Sequence, residues 1–247
     1  MAQIVTVPAN AKPWNMVFAI AQEHISDSWL LVGGLMVQAH ALIKGVRPVR
    51  VTQDADFLID ILSDALGVNH IAHALERHGY QVLPGTLSGY TTRMERPNGD
   101  KIDLMLADHL PKWTEEKRLT FLGQNHMFPA PGGAQAVTRS MEVNISDGED
   151  TATIRIPDQL GALVFKAAAR MADRGPKRDR HLNDAALLLS LFDDAERQRE
   201  RLHSDNDRKR LKALRDDMQE HSTSITCLTP DQLADAEYNL EVLLEES

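Results

Sequence analysis

The chain has 247 residues, of which 43% are hydrophobic and 26% are charged, as in ordinary soluble globular proteins. The formal net charge of -9 argues against a surface coated with basic residues for general DNA binding, but it leaves room for a local basic groove. The single cysteine excludes an internal disulfide and a multi-cysteine zinc site, so we expect a protein of the reducing cytoplasm. No apolar span of membrane length and no secretory signal is apparent, so we expect no membrane partner.

The first half of the chain predicts alternating helices and strands. Apolar residues at helical spacing predict helices over 13–25, 35–45 and 68–79, the last with Asn69 as a cap and Gly79 as terminator. Buried strands are predicted over 29–34 and 49–60. Residues 89–108 predict a hairpin, because Asn98-Gly99 can supply the positive φ angles of a tight turn. We therefore expect a mixed α/β module that ends near residue 110.

The second half becomes helical. Residues 129–133 predict a loop, and two short strands are expected near 137–145 and 152–156. After Pro157 the apolar residues recur at helical intervals, and 194–220 is so charged that it predicts a solvated helix or a poorly ordered arm. Thr229, Pro230 and Gln232 predict a capping box for a last helix. We place a domain boundary at residue 156, with an α/β domain over 1–156 and a helical domain over 157–247.

Two aspartates occupy a segment that otherwise predicts a buried strand, VRVTQDADFLID (49–60). Alternate residues of a strand share a face, so the Cα atoms of Asp54 and Asp56 lie roughly 7 Å apart and their side chains point the same way. Hard carboxylate oxygens in this arrangement are typical ligands of Mg²⁺ or Mn²⁺. The alternative interpretation is a polar strand end without a ligand.

Two further features favour the metal interpretation. Asp103 lies in the apolar run KIDLML, and if its strand pairs with the first one, three carboxylates converge. Their mutual repulsion would raise their pKa values unless a cation is bound. Gly33-Gly34 lies at a strand-to-helix turn, where backbone N–H groups can approach a phosphate. Together these residues predict a site for a phosphate and a metal ion.

These motifs resemble those of the nucleotidyltransferase superfamily that includes DNA polymerase β, and within it the AbiEii/MenT-type nucleotidyltransferase toxins. The resemblance covers about residues 29–190 and includes the strand motif Arg-x-Thr-x-Asp-x-Asp, matched here by Arg50, Thr52, Asp54 and Asp56. The gap between Gly34 and Asp54 is longer than the family pattern. The resemblance implies an α+β fold, with a nucleotidyltransferase-type mixed sheet flanked by helices and followed by a C-terminal helical domain.

The later part of the family pattern is a helical lysine, a basic stretch and an aspartate before a leucine-rich helix. Lys166 matches the lysine, and Asp184 is the best match for the aspartate, with Asp179 as its competitor. Six basic residues could track an RNA backbone, or they could be an ordinary exposed helix end: Lys166, Arg170, Arg174, Lys177, Arg178 and Arg180. His40 and His181 stay outside the catalytic set, although either could contact substrate.

The resemblance implies a chemistry in which Asp54, Asp56 and Asp103 hold two Mg²⁺ or Mn²⁺ ions and an acceptor hydroxyl attacks the α-phosphorus of a nucleoside triphosphate. Asp103 is expected on the acceptor side. Lys166, with Arg50 in support, is expected to neutralise the leaving pyrophosphate. The implied acceptor is RNA, specifically the 3′ end of tRNA, and the implied role is the toxin of a pair with a cognate antitoxin protein.

Two other interpretations stay open at the level of the sequence. A small cationic acceptor such as an aminoglycoside fits an acidic protein at least as well as RNA does. A non-catalytic nucleotide-binding module is the third interpretation, but it gives no reason to keep three carboxylates inside apolar strands.

Overall fold

The computed structural model describes residues 4–7, 12–23, 25, 28–47, 52–83, 92–109, 120–121, 125–126, 129–176 and 178–245. The helices of these residues are α1 (Trp14–Gln22), α2 (Gly33–Ile43), α3 (Gly67–Arg77), α4 (Gly133–Thr138), α5 (Gln159–Ala172), α6 (Asp179–Ser190), α7 (Ala195–Arg199), α8 (Asp205–Glu220) and α9 (Pro230–Leu244). A short 3₁₀ turn (Ser222–Ser224) follows α8. None of the described helices is both long enough and apolar enough to cross a bilayer.

The strands of the described residues form three sheets. They are β1 (Ile4–Thr6), β2 (Trp29–Val32), β3 (Asp54–Ile59), β4 (Gln81–Val82), β5 (Thr92–Glu95), β6 (Lys101–Ala107), β7 (Thr120–Phe121), β8 (Asn125–His126), β9 (Pro129–Ala130), β10 (Ser140–Ser146) and β11 (Thr151–Pro157). The main sheet has the order β2-β3-β6-β5-β4, with β9 beside the end of β6. A second sheet has the order β1-β10-β11, and β7 pairs with β8.

The main sheet is mixed. β3 and β6 are parallel neighbours, whereas β2 pairs with β3 and β5 pairs with β6 in the antiparallel sense. A parallel pair needs a crossover connection, and α3 and the β4–β5 segment lie between β3 and β6 in the chain. The α+β class is confirmed, with a mixed sheet flanked by helices and a helical C-terminal part.

The buried residues form two hydrophobic clusters, and α5 contributes to both. The first cluster joins the main sheet to α1, α2 and α3, and it contains Trp29, whose ring meets Phe57 edge to face at 5.0 Å between centroids. The second cluster joins α5, α6, α8 and α9. Ala162 and Phe165 belong to the first cluster and Leu163 to the second, because a helix of 3.6 residues per turn presents different faces to its two sides. The boundary at residue 156 stays a prediction.

Several predicted elements are confirmed with shifted ends. α2 begins at Gly33, two residues earlier than expected, because the glycine pair forms its first turn. α3 begins at Gly67, so Asn69 lies inside the helix and the prediction of an Asn69 cap is wrong. The hairpin forms as predicted, but only Gly99 has a positive φ, of 86°, and not Asn98.

The structure differs most from the elements predicted from the sequence between residues 129 and 220. Residues 133–138 form α4 where the predicted loop and strand would meet, and the strand begins only at Ser140. The charged stretch forms α7 and α8, and Leu211, Leu214 and Met218 of α8 are buried in the second cluster. The last helix has the predicted capping box, in which Thr229 and Gln232 bond to each other's backbone.

Candidate active site

Two acids of β3 and one of β6 share a face of the main sheet because the two strands are parallel neighbours. Asp56 is the register partner of Asp103, and Asp54 is the partner of Lys101. Register partners point to the same side of a sheet, as do alternate residues of one strand. The pairing on which the sequence argument depended is therefore present, and it aligns Asp54, Asp56 and Asp103 on one face.

This face is partly open at Asp54 and Asp56, whereas Asp103 beside them is buried and the face is closed further along β3. Asp54 and Asp56 are partly exposed, whereas Leu58, on the same face, has no exposed surface. Gly133 of α4 covers that end, since a Cβ built on it would lie 3.3 Å from Leu58 Cδ1. The apolar end of the face is part of the core, and its acidic end is accessible to a ligand.

Gly33 brings the first turn of α2 against the Asp56 carboxylate. A Cβ atom built on Gly33 would lie 1.7 Å from Asp56 Oδ2, which no side chain could tolerate. The φ of Gly33 is +68°, a left-handed value that costs other residues free energy. Glycine is required here both for the backbone conformation and for the space that the carboxylate occupies. Gly34, the next residue, is buried in the same turn.

The Asp56 carboxyl has a pKa raised from 3.8 to about 7. Burial of the carboxyl group against the Gly33 turn is the largest cause, although the residue as a whole is partly exposed, and the negative charge of Asp103 is the second. Lys166 and Arg180 act in the opposite direction, which shows that both cations lie within electrostatic range of Asp56. The C-terminal helices therefore contribute positive charge to the face that carries the acids.

Asp103 is held by Arg93, a residue that the sequence interpretation did not include. Arg93 lies opposite Asp103 in the antiparallel β5–β6 pair. Its Nε donates to Asp103 Oδ1 at 2.8 Å and its Nη2 donates to Asp103 Oδ2 at 2.7 Å. The pKa of Arg93 is raised, first by these hydrogen bonds. The signal in the sequence was the pairing of TRME with KIDL across the predicted hairpin, which brings a cation next to the third acid.

The donor chemistry of the open face fits a divalent cation at Asp54 and Asp56. Neither of these acids has an ion-pair partner among the described residues, unlike Asp103. Within that part of the chain, no three His, Cys, Asp or Glu side chains are grouped so that they could hold a metal ion. The binding of metal by Asp103 stays a prediction, and it requires a change at Arg93.

Lys166 and Asp184 form a buried ion pair between α5 and α6. The Lys166 Nζ donates to Asp184 Oδ2 at 2.7 Å, and the side chains are only 5% and 7% exposed. Asp179, the alternative to Asp184, is exposed and accepts instead from Arg170 Nη1 at 2.7 Å. The pairing of the predicted lysine with one of the two acids favours Asp184.

The basic segment is less available to an RNA backbone than its composition indicates. Arg170 is almost fully buried and pairs with Asp179 and Asp217, and Arg178 also pairs with Asp217. Only Arg174 and Arg180 are exposed, and Lys177 lies outside the described residues. Half of the six predicted cations, including Lys166, therefore hold the helices together.

Two residues at the start of α6 add to the site. Arg180 is exposed and has no ion-pair partner among the described residues. Its positive charge partly offsets the rise in the pKa of Asp56. His181 has a pKa lowered to about 4, first by burial and then by the charges of Lys166 and Arg180, so its imidazole is neutral at pH 7. Its Nε2 lies 3.2 Å from Asp173 Oδ2. Its Nδ1 is the only buried side-chain nitrogen or oxygen of the described residues without a hydrogen-bond partner.

The other residues considered in the sequence are Thr52, Arg50 and His40. Thr52 is partly exposed just before β3, and Arg50 lies outside the described residues. His40 is buried, with its Nε2 3.0 Å from the Pro157 carbonyl oxygen.

Comparisons with known proteins give only distant structural similarity. No protein-family model matches the chain, and no curated protein sequence matches it. A crystal structure of an antigenic nucleotidyltransferase-like protein from Paracoccidioides brasiliensis is similar at 12% identity and a TM-score of 0.48, over 90% of this chain and 95% of that one. The Thermotoga maritima CCA-adding enzyme in complex with tRNA is similar at 15% identity and a TM-score of 0.27, over 95% of this chain and 52% of that one. At these values neither similarity establishes an activity for this chain.

Proposed function

We propose that this protein is a metal-dependent nucleotidyltransferase that moves a nucleoside monophosphate from a nucleoside triphosphate to an acceptor hydroxyl. The observation that carries the proposal is the register of β3 and β6, which aligns Asp54, Asp56 and Asp103 on one face of the sheet. The Gly33 turn against Asp56 and the positive charges of Lys166 and Arg180 support it. A structural role alone would give no reason to align three carboxylates in this way.

Asp54 and Asp56 are the residues that would hold Mg²⁺ or Mn²⁺. When bound, such cations neutralise the phosphates and lower the pKa of a hydroxyl nucleophile. Asp103 lies at the side of this pair that borders β5 and is the candidate to accept the proton of the acceptor hydroxyl. We assign it the acceptor side because the resemblance to nucleotidyltransferases implies this role.

The leaving pyrophosphate needs positive charge, and two cations of the C-terminal helices can provide it. Lys166 is buried and shares its charge with Asp184, so it is suited to fixed electrostatic stabilisation rather than to binding a mobile ligand. Arg180 is exposed and has no ion-pair partner among the described residues, so it can contact a phosphate directly. We therefore propose Arg180 as a nucleotide-binding residue beside Lys166, and we keep Thr52, Gly33 and Gly34 as candidates on the sheet side.

We further propose that the acceptor is RNA, namely the 3′ end of tRNA, and that the protein is the toxin of a toxin–antitoxin pair. Support comes from the motifs that resemble AbiEii/MenT-type toxins and from the exposed Arg180, whose positive charge acts on Asp56. One molecule of a catalytic toxin can block many acceptor ends, whereas one molecule of a binding module can occupy only one target at a time. A cognate antitoxin protein would then have to silence this activity.

Growth and tRNA length test this proposal together. Expression of the wild type in a bacterium should arrest growth, and the tRNA of arrested cells should be longer by one or more nucleotides at the 3′ end only. Asp56→Ala should remove both effects. Arrest that persists in the Asp56→Ala protein would contradict a catalytic toxin.

A small cationic acceptor is the second candidate, and the ion pairs of Arg170 and Arg178 favour it. They leave few free cations for RNA on a protein with a net charge of -9. An aminoglycoside would be attracted to such a surface. Incubation of the protein with labelled nucleotides and either total tRNA or an antibiotic panel separates the two acceptors, because the label moves to only one of them.

A further inference from the structure

Arg93 occupies both oxygens of one acid of the proposed site. The contact is a two-bond fork, at 2.8 and 2.7 Å, between side chains that face each other across the β5–β6 pair. Asp103 is buried and its side chain is 10% exposed, so its charge needs a partner. Arg93 is the only cation among the described residues within ion-pair distance of it. This pair therefore neutralises Asp103 without a metal ion.

The position of Arg93 distinguishes it from the other ion pairs of the hairpin. Lys101 and Glu95 pair at 3.9 Å and Arg96 and Asp100 at 3.9 Å, and both pairs are looser and lie nearer the turn. The negative charges of Asp54 and Asp56 also raise the pKa of Arg93, so its guanidinium lies within electrostatic range of both carboxylates. A pair that only fastened β5 to β6 would not need a position among all three acids.

Arg93 is also able to release Asp103. Its side chain is 34% exposed, so its guanidinium can turn toward water without leaving a buried charge. The released carboxylate, by contrast, would be buried beside Asp56 and would need another cation. Departure of Arg93 and binding of a divalent ion at Asp103 are therefore coupled by charge.

We propose that Arg93 limits the nucleotide-free protein to one divalent cation by occupying Asp103. In this arrangement Asp54 and Asp56 bind the first cation, and Asp103 becomes a ligand only when Arg93 turns away. The inference rests on the proposed function, because it assumes that the aligned acids bind metal. Arg93 is in this role a positioning residue, which prepares the acceptor side of the site without touching the reacting atoms.

The test is the number of Mn²⁺ ions bound by the full chain without nucleotide, measured by equilibrium dialysis. The wild type should bind about one ion, and Arg93→Gln should bind about two, as in two-metal sites. The double variant Arg93→Gln/Asp103→Asn should return to about one, because the second ion depends on the Asp103 carboxylate. Arg96→Gln is the matched control, since it removes another arginine of the same hairpin and should leave the number at one.

The possible outcomes separate this inference from the proposed function. Two ions on the wild type, or one ion on a folded Arg93→Gln protein, would overturn the role of Arg93 and leave the nucleotidyltransferase proposal intact. No ion on the wild type at millimolar Mn²⁺ would contradict both. If Arg93→Gln does not fold, Arg93→Lys replaces it, because lysine cannot form the two parallel bonds. That variant should bind a second ion more tightly than the wild type, and equal binding would overturn the inference.

Discussion

Lys166 Nζ lies 2.7 Å from Asp184 Oδ2, and this ion pair joins α5 to α6 where almost no water reaches it. Removal of one partner of a buried ion pair costs about 3–5 kcal/mol, because the remaining charge loses the opposite charge that offsets its burial. Lys166→Ala should therefore lower the free energy of unfolding by this amount. The loss of activity in that variant would say little about catalysis.

The double variant Lys166→Met/Asp184→Asn separates the two effects. Neither new side chain is charged, so most of the lost stability should return. Nucleotide transfer should remain absent, because the positive charge that acts on the acidic face is missing. Urea denaturation and a transfer assay on the same preparations check this, and full activity in the stable double variant would exclude a direct role for Lys166.

Gly33→Ala and Gly45→Ala form a matched pair. Both glycines have a φ of +68°, so both substitutions should cost about 1–2 kcal/mol of backbone strain. A Cβ at Gly45 meets nothing within 4 Å, whereas one at Gly33 would overlap the Asp56 carboxylate. We expect Gly45→Ala to keep full activity and Gly33→Ala to lose both metal binding and transfer. Equal activities of the two variants would show that the Gly33 turn does not position Asp56.

The raised pKa of Asp56 predicts a pH dependence of stability in the absence of divalent cations. The carboxyl loses its proton near pH 4 in the unfolded chain and near pH 7 in the folded one. Between these values the folded protein binds more protons, so the free energy of unfolding falls as the pH rises from about 4 to 7. Asp56→Asn should remove this fall and be more stable than the wild type at pH 8, by on the order of 1–3 kcal/mol.

The comparison with Asp56→Asn is necessary because two histidines act in the opposite direction. His40 and His181 have pKa values lowered to about 4, so they make the protein more stable as the pH rises from about 4 to 6.5. Their contribution is the same in both proteins and cancels in the difference. Denaturation in EDTA at about pH 5 and pH 8 gives that difference, and a value independent of pH would contradict the raised pKa of Asp56.

Asp103→Asn should separate nucleotide binding from turnover. The substitution keeps the shape of the side chain, and Arg93, which loses a charged partner, is exposed enough to be hydrated. We expect the variant to bind a non-hydrolysable nucleotide analogue within about threefold of the wild type, a difference below 1 kcal/mol. Its turnover should be lost. Titration calorimetry measures the affinity, and a large loss of affinity would move Asp103 to the nucleotide side of the site.

The acids of the site could be predicted from the sequence because they interrupt strong local patterns. Asp54 and Asp56 stand out in an apolar strand, and Asp103 follows a turn signal, Asn98-Gly99, that fixes the hairpin. The capping box at Thr229 is equally local. In each of these cases the neighbours in sequence are also the neighbours that determine the structure.

The partners of these residues could not be predicted in the same way. The ion pair of Lys166 with Asp184 depends on how α5 packs on α6, and the fork between Arg93 and Asp103 depends on the register of β5 and β6. The parallel pairing of β1 with β10 joins residues about 140 apart in the chain and left no local signal. The short helix α4 was missed because Gly132-Gly133 indicates a loop, although Gly132, at a φ of 83°, caps the helix.

Nucleotidyl transfer is tested most directly by following the two ends of the triphosphate. The purified protein is incubated with Mg²⁺, total tRNA and nucleoside triphosphates labelled at either the α- or the γ-phosphate. We expect the α-label to become attached to tRNA and the γ-label to be released as pyrophosphate, and we expect EDTA or Asp56→Ala to abolish both. Transfer of the γ-label to an acceptor, or equal incorporation of the α-label by Asp56→Ala, would contradict nucleotidyl transfer at the aligned acids.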